Sequence, residues 1–259
     1  MKKSKPLVSV IMNSHNGEKF IKRSITSVLK QSYTRWELIF WDNCSQDNSK
    51  KIIKKFNDRR IKYFYSKKFF TLYKSRNLAI KKANGKYLCF LDVDDQWKYM
   101  KLEEQVRSLE ELNLKFIYSN YLIKNKIKNK IYLRKKGELP QGFITQSLLD
   151  DYFIGIITVM IRKEVFKSFK FNSGYNVIGD FDLFIKLSLK YKFASSQKAF
   201  AIYNIHGKNM SLTKLKIYTQ ELEYWIKKNE KNLLKNLNVN KIKILLFKLK
   251  IKNFFKNIF

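Results

Sequence analysis

The period of the hydrophobic positions switches repeatedly along the first hundred residues. Residues 7–11 form a short unbroken apolar run rich in β-branched side chains, the pattern of a strand buried on both faces. Over residues 18–30, Ile21, Ile25, Val28 and Leu29 recur at helical spacing. The alternation continues with strands over 37–41, 61–65 and 87–91 and helices over 48–56 and 72–83, the last stopped by Asn84-Gly85. Strand and helix in alternation predict an α/β fold, a mostly parallel, Rossmann-like central sheet with helices on both faces.

After residue 97 the pattern is less regular. A helix is expected over 98–112, with Leu102, Val106 and Leu109 on one face, and another over 182–191. Strands are expected over 116–123, 130–133, 156–161 and 200–205, and a short helix over 163–169. No internal repeat is visible. Residues 231–259 carry eight lysines and no acid among Leu, Ile and Phe, an amphipathic basic segment suited either to an anionic membrane surface or to packing on the domain. The expected organisation is one domain over 1–211, divided into halves 1–97 and 98–211, followed by a basic helical segment over 212–259.

In parallel sheets ligands sit beyond the carboxyl ends of the strands. Those ends carry Asn13-Ser14-His15-Asn16, Asp42-Asn43 and Asp92-Val93-Asp94-Asp95. Side chains alternate along an extended segment, so Asp92 and Asp94 can point the same way, and two such carboxylates repel unless a cation lies near them. Oxygen ligands without cysteine favour Mg2+ or Mn2+ and a bound diphosphate. The plain alternative is that these acids cap the next helix, as Asp47 or Asn48 would cap the helix after the second strand. Asp42 could accept from a base N–H or ribose hydroxyls, and Arg76, if it faces the strand ends, would pair with phosphate.

Composition changes this picture little. The net charge is +33, from 54 Lys+Arg against 21 Asp+Glu, yet Gly (8) and Pro (2) are scarce while Lys, Asn, Ile, Phe and Tyr abound. An AT-rich genome produces that joint bias through codon usage, so the charge is read as a solvated lysine surface and no nucleic-acid partner is expected. Cys44 and Cys89 make neither a disulfide framework nor a zinc site, and a reducing compartment follows. The N-terminus is a poor secretion signal, and the longest apolar run, 153–161, is about half the ~20 residues of a membrane helix. The expected location is cytoplasmic, peripheral at the inner face of the plasma membrane.

The order of these motifs resembles the inverting family 2 glycosyltransferases of the GT-A fold, of the non-processive bacterial type. VSVIMNSHNGEKF resembles their opening strand and nucleotide loop. SVLKQSYTRWELIFWDNCSQDNS resembles the second-strand signature, and SRNLAIKKANGKYLCFLDVDDQW the segment leading into the Asp-x-Asp motif. The resemblance implies that Ser14, His15, Asn16, Glu18, Asp42, Arg76, Asp92 and Asp94 bind a nucleotide-sugar donor. It implies a metal held by Asp94 and Asp92, with His206 as third ligand or diphosphate contact. In Gly179-Asp180-Phe181-Asp182-Leu183 it implies Asp180 as catalytic base, with Asp182 next in line and helix capping the local alternative. Departures are Asn43 for a common second acid, Gly179 for the usual Glu and Asn13 for a common Pro. Gln31 to Trp36 has one residue too many for the Gln-x-x-Arg-Trp signature of processive synthases.

The implied reaction is inverting transfer of a sugar to a glycan or lipid-linked acceptor in cell-surface polysaccharide assembly. Two rivals remain: another metal-dependent phosphate enzyme such as a nucleotidyltransferase or phosphatase, and a non-catalytic basic module that binds polyanions.

Overall fold

In the computed structural model the described residues are 5–207 and 209–256, without the side chains of residues 210, 211 and 256. The basic start at residues 1–4, Lys208 of the His206-Gly207-Lys208-Asn209 motif and the last three residues of the tail lie outside the described residues.

The first half follows the expected alternation: β1 (Val8–Ser14), α1 (Glu18–Leu29), β2 (Trp36–Asp42), α2 (Ser49–Lys54), β3 (Ile61–Tyr65), α3 (Leu72–Lys81) and β4 (Tyr87–Phe90). Every residue of β1 and β2 is buried, as continuous apolar strands covered on both faces must be. β1 lies between β2 and β4 and runs parallel to both, while β3 flanks β2. The carboxyl ends of these strands therefore open on one edge. β1 and β2 run past their expected ends, so Asn13, Ser14 and Asp42 are strand residues.

α3 ends at Lys81 with Lys82 as its cap, ahead of the expected stop at Asn84-Gly85, and Gly85 serves packing instead. A Cβ there would lie 2.6 Å from the Ser9 backbone nitrogen and 2.8 Å from the Leu7 carbonyl oxygen, so the glycine allows β1 and the approach to β4 to touch.

The second half comprises β5 (Gln96–Trp97), α4 (Lys101–Glu111), β6 (Phe116–Asn125), β7 (Lys130–Leu133), α5 (Thr145–Asp150), β8 (Met160–Arg162), α6 (Gly179–Lys190) and β9 (Phe193–Ile205). The strand order is β3-β2-β1-β4-β8-β6-β9-β5, with β7 added to β6. The sheet is thus mixed: β8 runs antiparallel to both β4 and β6, whereas β6 and β9 are parallel to each other.

Three local expectations change. Residues 156–161 divide into a 3-10 turn (Ile156–Thr158) and β8, because a short buried apolar run has no period to separate the two. The helix expected over 163–169 is a 3-10 turn at Lys163–Lys167. β9 begins seven residues before its expected start, its first part hidden by the polar run Ser195 to Lys198.

The chain ends with a four-residue turn, α7 (Met210–Thr213), then α8 (Leu215–Asn229) and α9 (Asn240–Lys256). α8 is packed into the main core: Trp225 has no exposed surface, and its ring meets Phe181 of α6 at 4.7 Å.

Candidate active site

Beyond β4 the chain turns sharply through Asp92, Val93, Asp94 and Asp95. Arg76 of α3, buried to 3% exposure, donates from Nη2 to Asp92 Oδ1 at 2.6 Å. The Asp94 carboxylate lies 2.9 Å from His206 Nε2, and the His206 ring stacks on Phe20 of α1. The turn is clamped through its backbone: Arg23 Nη2 and Asn204 Nδ2 both donate to the Asp94 carbonyl at 2.9 Å. Asp95, for which the sequence leaves capping of the next helix as the plain alternative, is fully buried and accepts from the Asn204 amide at 2.7 Å. β9 thus presents Asn204 and His206 together at the acidic turn.

Burial, and then the neighbouring charge of Asp92, raises the Asp94 pKa. Among the described residues no three His, Cys, Asp or Glu side chains are arranged as a ready metal cage. Arg76 engages Asp92, which leaves Asp94 and His206 as the pair that could hold a cation. One or two protein ligands, completed by water and substrate phosphate, is the mode Mg2+ favours, so the residues fit such an ion.

At the ends of β1 and β2 the other named side chains gather. His15 Nδ1 donates to the Asn43 carbonyl at 2.9 Å, and Asn16 Nδ2 approaches His15 Nε2 at 3.3 Å. The ring of His15 meets that of exposed Phe69 edge-on at 4.7 Å. Asn43, where an acid is common, instead exchanges two hydrogen bonds with the Phe70 backbone and fixes this loop. Ser14 Oγ is buried with no partner among the described atoms. Glu18 is drawn elsewhere: its carboxylate accepts from the backbone and side chain of Asn48, while Asp47 accepts from the amides of Glu18 and Ser49. These two acids join the starts of α1 and α2. Asp42, at 1% exposure, accepts from the Ser45 amide at 2.9 Å and the Tyr63 hydroxyl at 2.7 Å.

Asp180 sits in the first turn of α6, half-buried. Tyr73 Oη lies 3.0 Å from its Oδ1, and Tyr152 Oη lies 3.4 Å from its Oδ2. Burial raises its pKa, against the opposing pull of the Arg76 charge and the Tyr73 hydrogen bond. The approach to α6 is fixed from α8, where the Glu221 carboxylate accepts from the amides of Asn176, Val177 and Ile178. Asp182 is unavailable for proton transfer: it is buried, held by Trp225 Nε1 at 2.9 Å and Lys186 Nζ at 2.7 Å.

Arg76 therefore joins Asp92 to the electrostatics of Asp180, and Asp94 pairs with His206, whereas Glu18 faces away into a helix clasp. Sequence reasoning missed Tyr73, Tyr152, Asn204 and Phe69. Only Tyr73 left a legible signal, since it lies three residues before Arg76 and so on the same helical face.

The glycosyl transferase family 2 model matches residues 9–188. The chain belongs to that family. It is 39% identical, over 165 residues, to the UDP-Glc:alpha-D-GlcNAc-diphosphoundecaprenol beta-1,3-glucosyltransferase WfgD of Escherichia coli. That match covers 64% of this chain and 64% of the relative, so it spans less than two thirds of the relative's length. Among solved structures, S. aureus TarS 1-349 in complex with UDP-GlcNAc superposes with a TM-score of 0.67 at 18% identity, covering 90% of this chain and 68% of that one. The mannosyltransferase PcManGT of Pyrobaculum calidifontis, in complex with GDP-Man and Mn2+, gives 0.66 at 12% identity over 87% of this chain and 65% of that one. These two likenesses establish the GT-A glycosyltransferase fold.

Proposed function

We propose that this protein transfers a sugar, with inversion, from a UDP-sugar to a hydroxyl of a diphospholipid-linked glycan during cell-surface polysaccharide assembly. The observation that carries the reading is the pairing of a strand-end acidic cluster (Asp92, Asp94, His206) with a separate half-buried carboxylate, Asp180, both reached from one face of α3. The UDP-linked donor and the lipid-linked acceptor are suggested by WfgD, whose name specifies both.

Asp94 and His206 would hold Mg2+ or Mn2+ against the donor diphosphate, with Asp92 nearby. Such a cation, when bound, neutralises the charge that develops on the departing diphosphate. Arg76 adds a fixed positive charge to the same cluster. His15 and Asn16, with Ser14 beneath them, would meet the nucleoside, with the exposed Phe69 ring as a wall for its base. Asp42 orders that loop and has lone pairs left for a base N–H. Asp180 accepts the proton of the acceptor hydroxyl as it attacks C1. Its partial burial raises its affinity for that proton.

Among the described residues no helix is long and apolar enough to cross a membrane. α9 nevertheless packs only one side inward, through Ile242, Leu246 and Leu249. Ile244, Phe247, Ile251, Phe254 and Phe255 remain exposed among lysines. That face suits the surface of an anionic bilayer, where a lipid-linked acceptor resides.

UDP release from UDP-glucose in the presence of a GlcNAc-diphospholipid tests the reading. Asp180→Asn should keep donor affinity while transfer falls about 10²- to 10⁴-fold. Asp94→Asn should abolish the Mn2+-dependent thermal stabilisation by UDP. Transfer at the wild-type rate in Asp180→Asn would move the base elsewhere.

A further inference from the structure

The Tyr73 side chain meets Asp180 in a way that packing alone does not require. Its buried hydroxyl lies 2.7 Å from the Val177 carbonyl oxygen and 3.0 Å from Asp180 Oδ1. Its ring occupies the space that a side chain at residue 179 would need: a Cβ there would come within 2.5–2.6 Å of Cδ2, Cε2 and Cγ of Tyr73. Gly179 and Tyr73 fit only together, and this explains why glycine stands beside Asp180.

A tyrosine hydroxyl carries one hydrogen and can also accept. Here it faces two acceptors at bonding distance, so it cannot donate fully to both. We propose that Tyr73 is a positioning residue for the base, acting as a two-position hydrogen-bond switch. While Asp180 is ionised, the Tyr73 hydrogen turns to Oδ1 and fixes the carboxylate. As the acceptor oxygen bonds to C1, the bond from C1 to the diphosphate breaks, its electron pair leaves with the diphosphate, and the acceptor proton passes to Asp180. The Tyr73 hydrogen then swings to the Val177 carbonyl, and Tyr73 Oη accepts from the new Asp180 O–H. Tyr73 itself gains and loses no proton. Burial and the Asp180 charge keep its own pKa well above the ordinary value, so the hydroxyl stays intact throughout.

The inference rests on the assignment of Asp180 as base. The other groups acting on Asp180 are Arg76 of α3, Tyr152, whose contact is at the 3.4 Å limit, and Tyr218 of α8. None offers the same two-acceptor geometry.

The test is the pH dependence of kcat/KM with UDP-glucose and a GlcNAc-diphospholipid. In Tyr73→Phe the ionised base loses a charge-assisted hydrogen bond and the neutral acid only an ordinary one. The acid limb should therefore move to higher pH, by about one unit. On the plateau kcat should fall about tenfold while the donor KM stays unchanged. A ring that merely fills space would leave the limb where it was. If Tyr73→Phe is not folded by circular dichroism, Gly179→Ala carries the same test, because its methyl group pushes the ring off Asp180. An unmoved acid limb together with an inactive Asp180→Asn overturns the role of Tyr73 alone. An active Asp180→Asn overturns the base on which it depends.

Discussion

Lys101 opens α4, yet none of it reaches solvent. Its ammonium lies 2.6 Å from Gln105 Oε1, 3.4 Å from the Val159 carbonyl and 4.4 Å over the Trp97 ring. Burial pushes its pKa down from 10.5 to about 8, with Cys89 acting weakly in the opposite direction. Between pH 8 and 10.5 the unfolded chain binds a proton that the folded protein has released, so stability rises with pH across that window. Below pH 8 both states are charged, and the full cost of burying the charge, about 3 kcal/mol, is present. From pH 7 to 9 the expected gain in unfolding free energy is about 1 kcal/mol. Above that interval Cys89, pushed up to about 11, increasingly opposes the trend, and its unfolded thiol, ionising near 9, already trims the gain at the upper end. Urea denaturation at pH 7, 8 and 9, with a constant m-value, reads the effect directly. In Lys101→Met the rise should vanish. A wild-type midpoint that stays level or falls over this interval, or an equal slope in the variant, would refute the reasoning.

The remaining predictions concern the site and its supports. Arg76→Met leaves Asp92 without its partner. Because Asp92 is one-third exposed, a stability loss of about 2 kcal/mol is expected, with a raised donor KM; an unchanged urea midpoint would count against it. Gly85→Ala forces a methyl group against β1 backbone and should cost about 3 kcal/mol, read from the same midpoint, and wild-type stability would contradict the contact. Replacing Phe247, Phe254 and Phe255 of α9 by serine should reduce sedimentation with phosphatidylglycerol vesicles while leaving transfer to a soluble short-chain acceptor intact. Equal vesicle binding would remove α9 as the membrane face.

The parallel half of the fold was legible because its signals are local: continuous apolar runs for β1 and β2, helical spacing for α1 and α3. The reversal at β8 was not, since Met160-Ile161 reads as apolar in either direction and its partners lie far away in sequence. Asp92 and Asp94 could be chosen by their place after a strand, but nothing local showed that Arg76 would hold the first and His206 the second. Glu18 shows the converse. Its position in the opening loop suggested the nucleotide, whereas the amide and side chain of Asn48 were the nearer partners. Lys101 illustrates a deeper limit. In a chain this rich in lysine, one buried ammonium looks in sequence like every solvated one, and only the packing of Trp97, Gln105 and Val159 distinguishes it.

The geometry of α3 suggests how the two sides of the site keep their spacing. Residues three apart on a helix project from one stripe, with Cβ atoms about 5–6 Å apart. Tyr73 and Arg76 use that stripe, the guanidinium lying 5.5 Å from the Tyr73 ring centre. One reaches Asp180 and the other Asp92. On the same helix Asn77 exchanges two hydrogen bonds with the Phe171 backbone, and Thr71 Oγ1 donates to the Ser173 carbonyl, so the segment leading to Asp180 is tied to α3 at several points. Two carboxylates distant in sequence are thereby referred to one rigid element. A single in-line displacement requires donor and acceptor to be aligned within a fraction of an ångström, and misalignment of about 1 Å can cost a hundredfold in rate. On the proposed mechanism, a shared helical face would supply that alignment without a covalent intermediate to hold the sugar between steps.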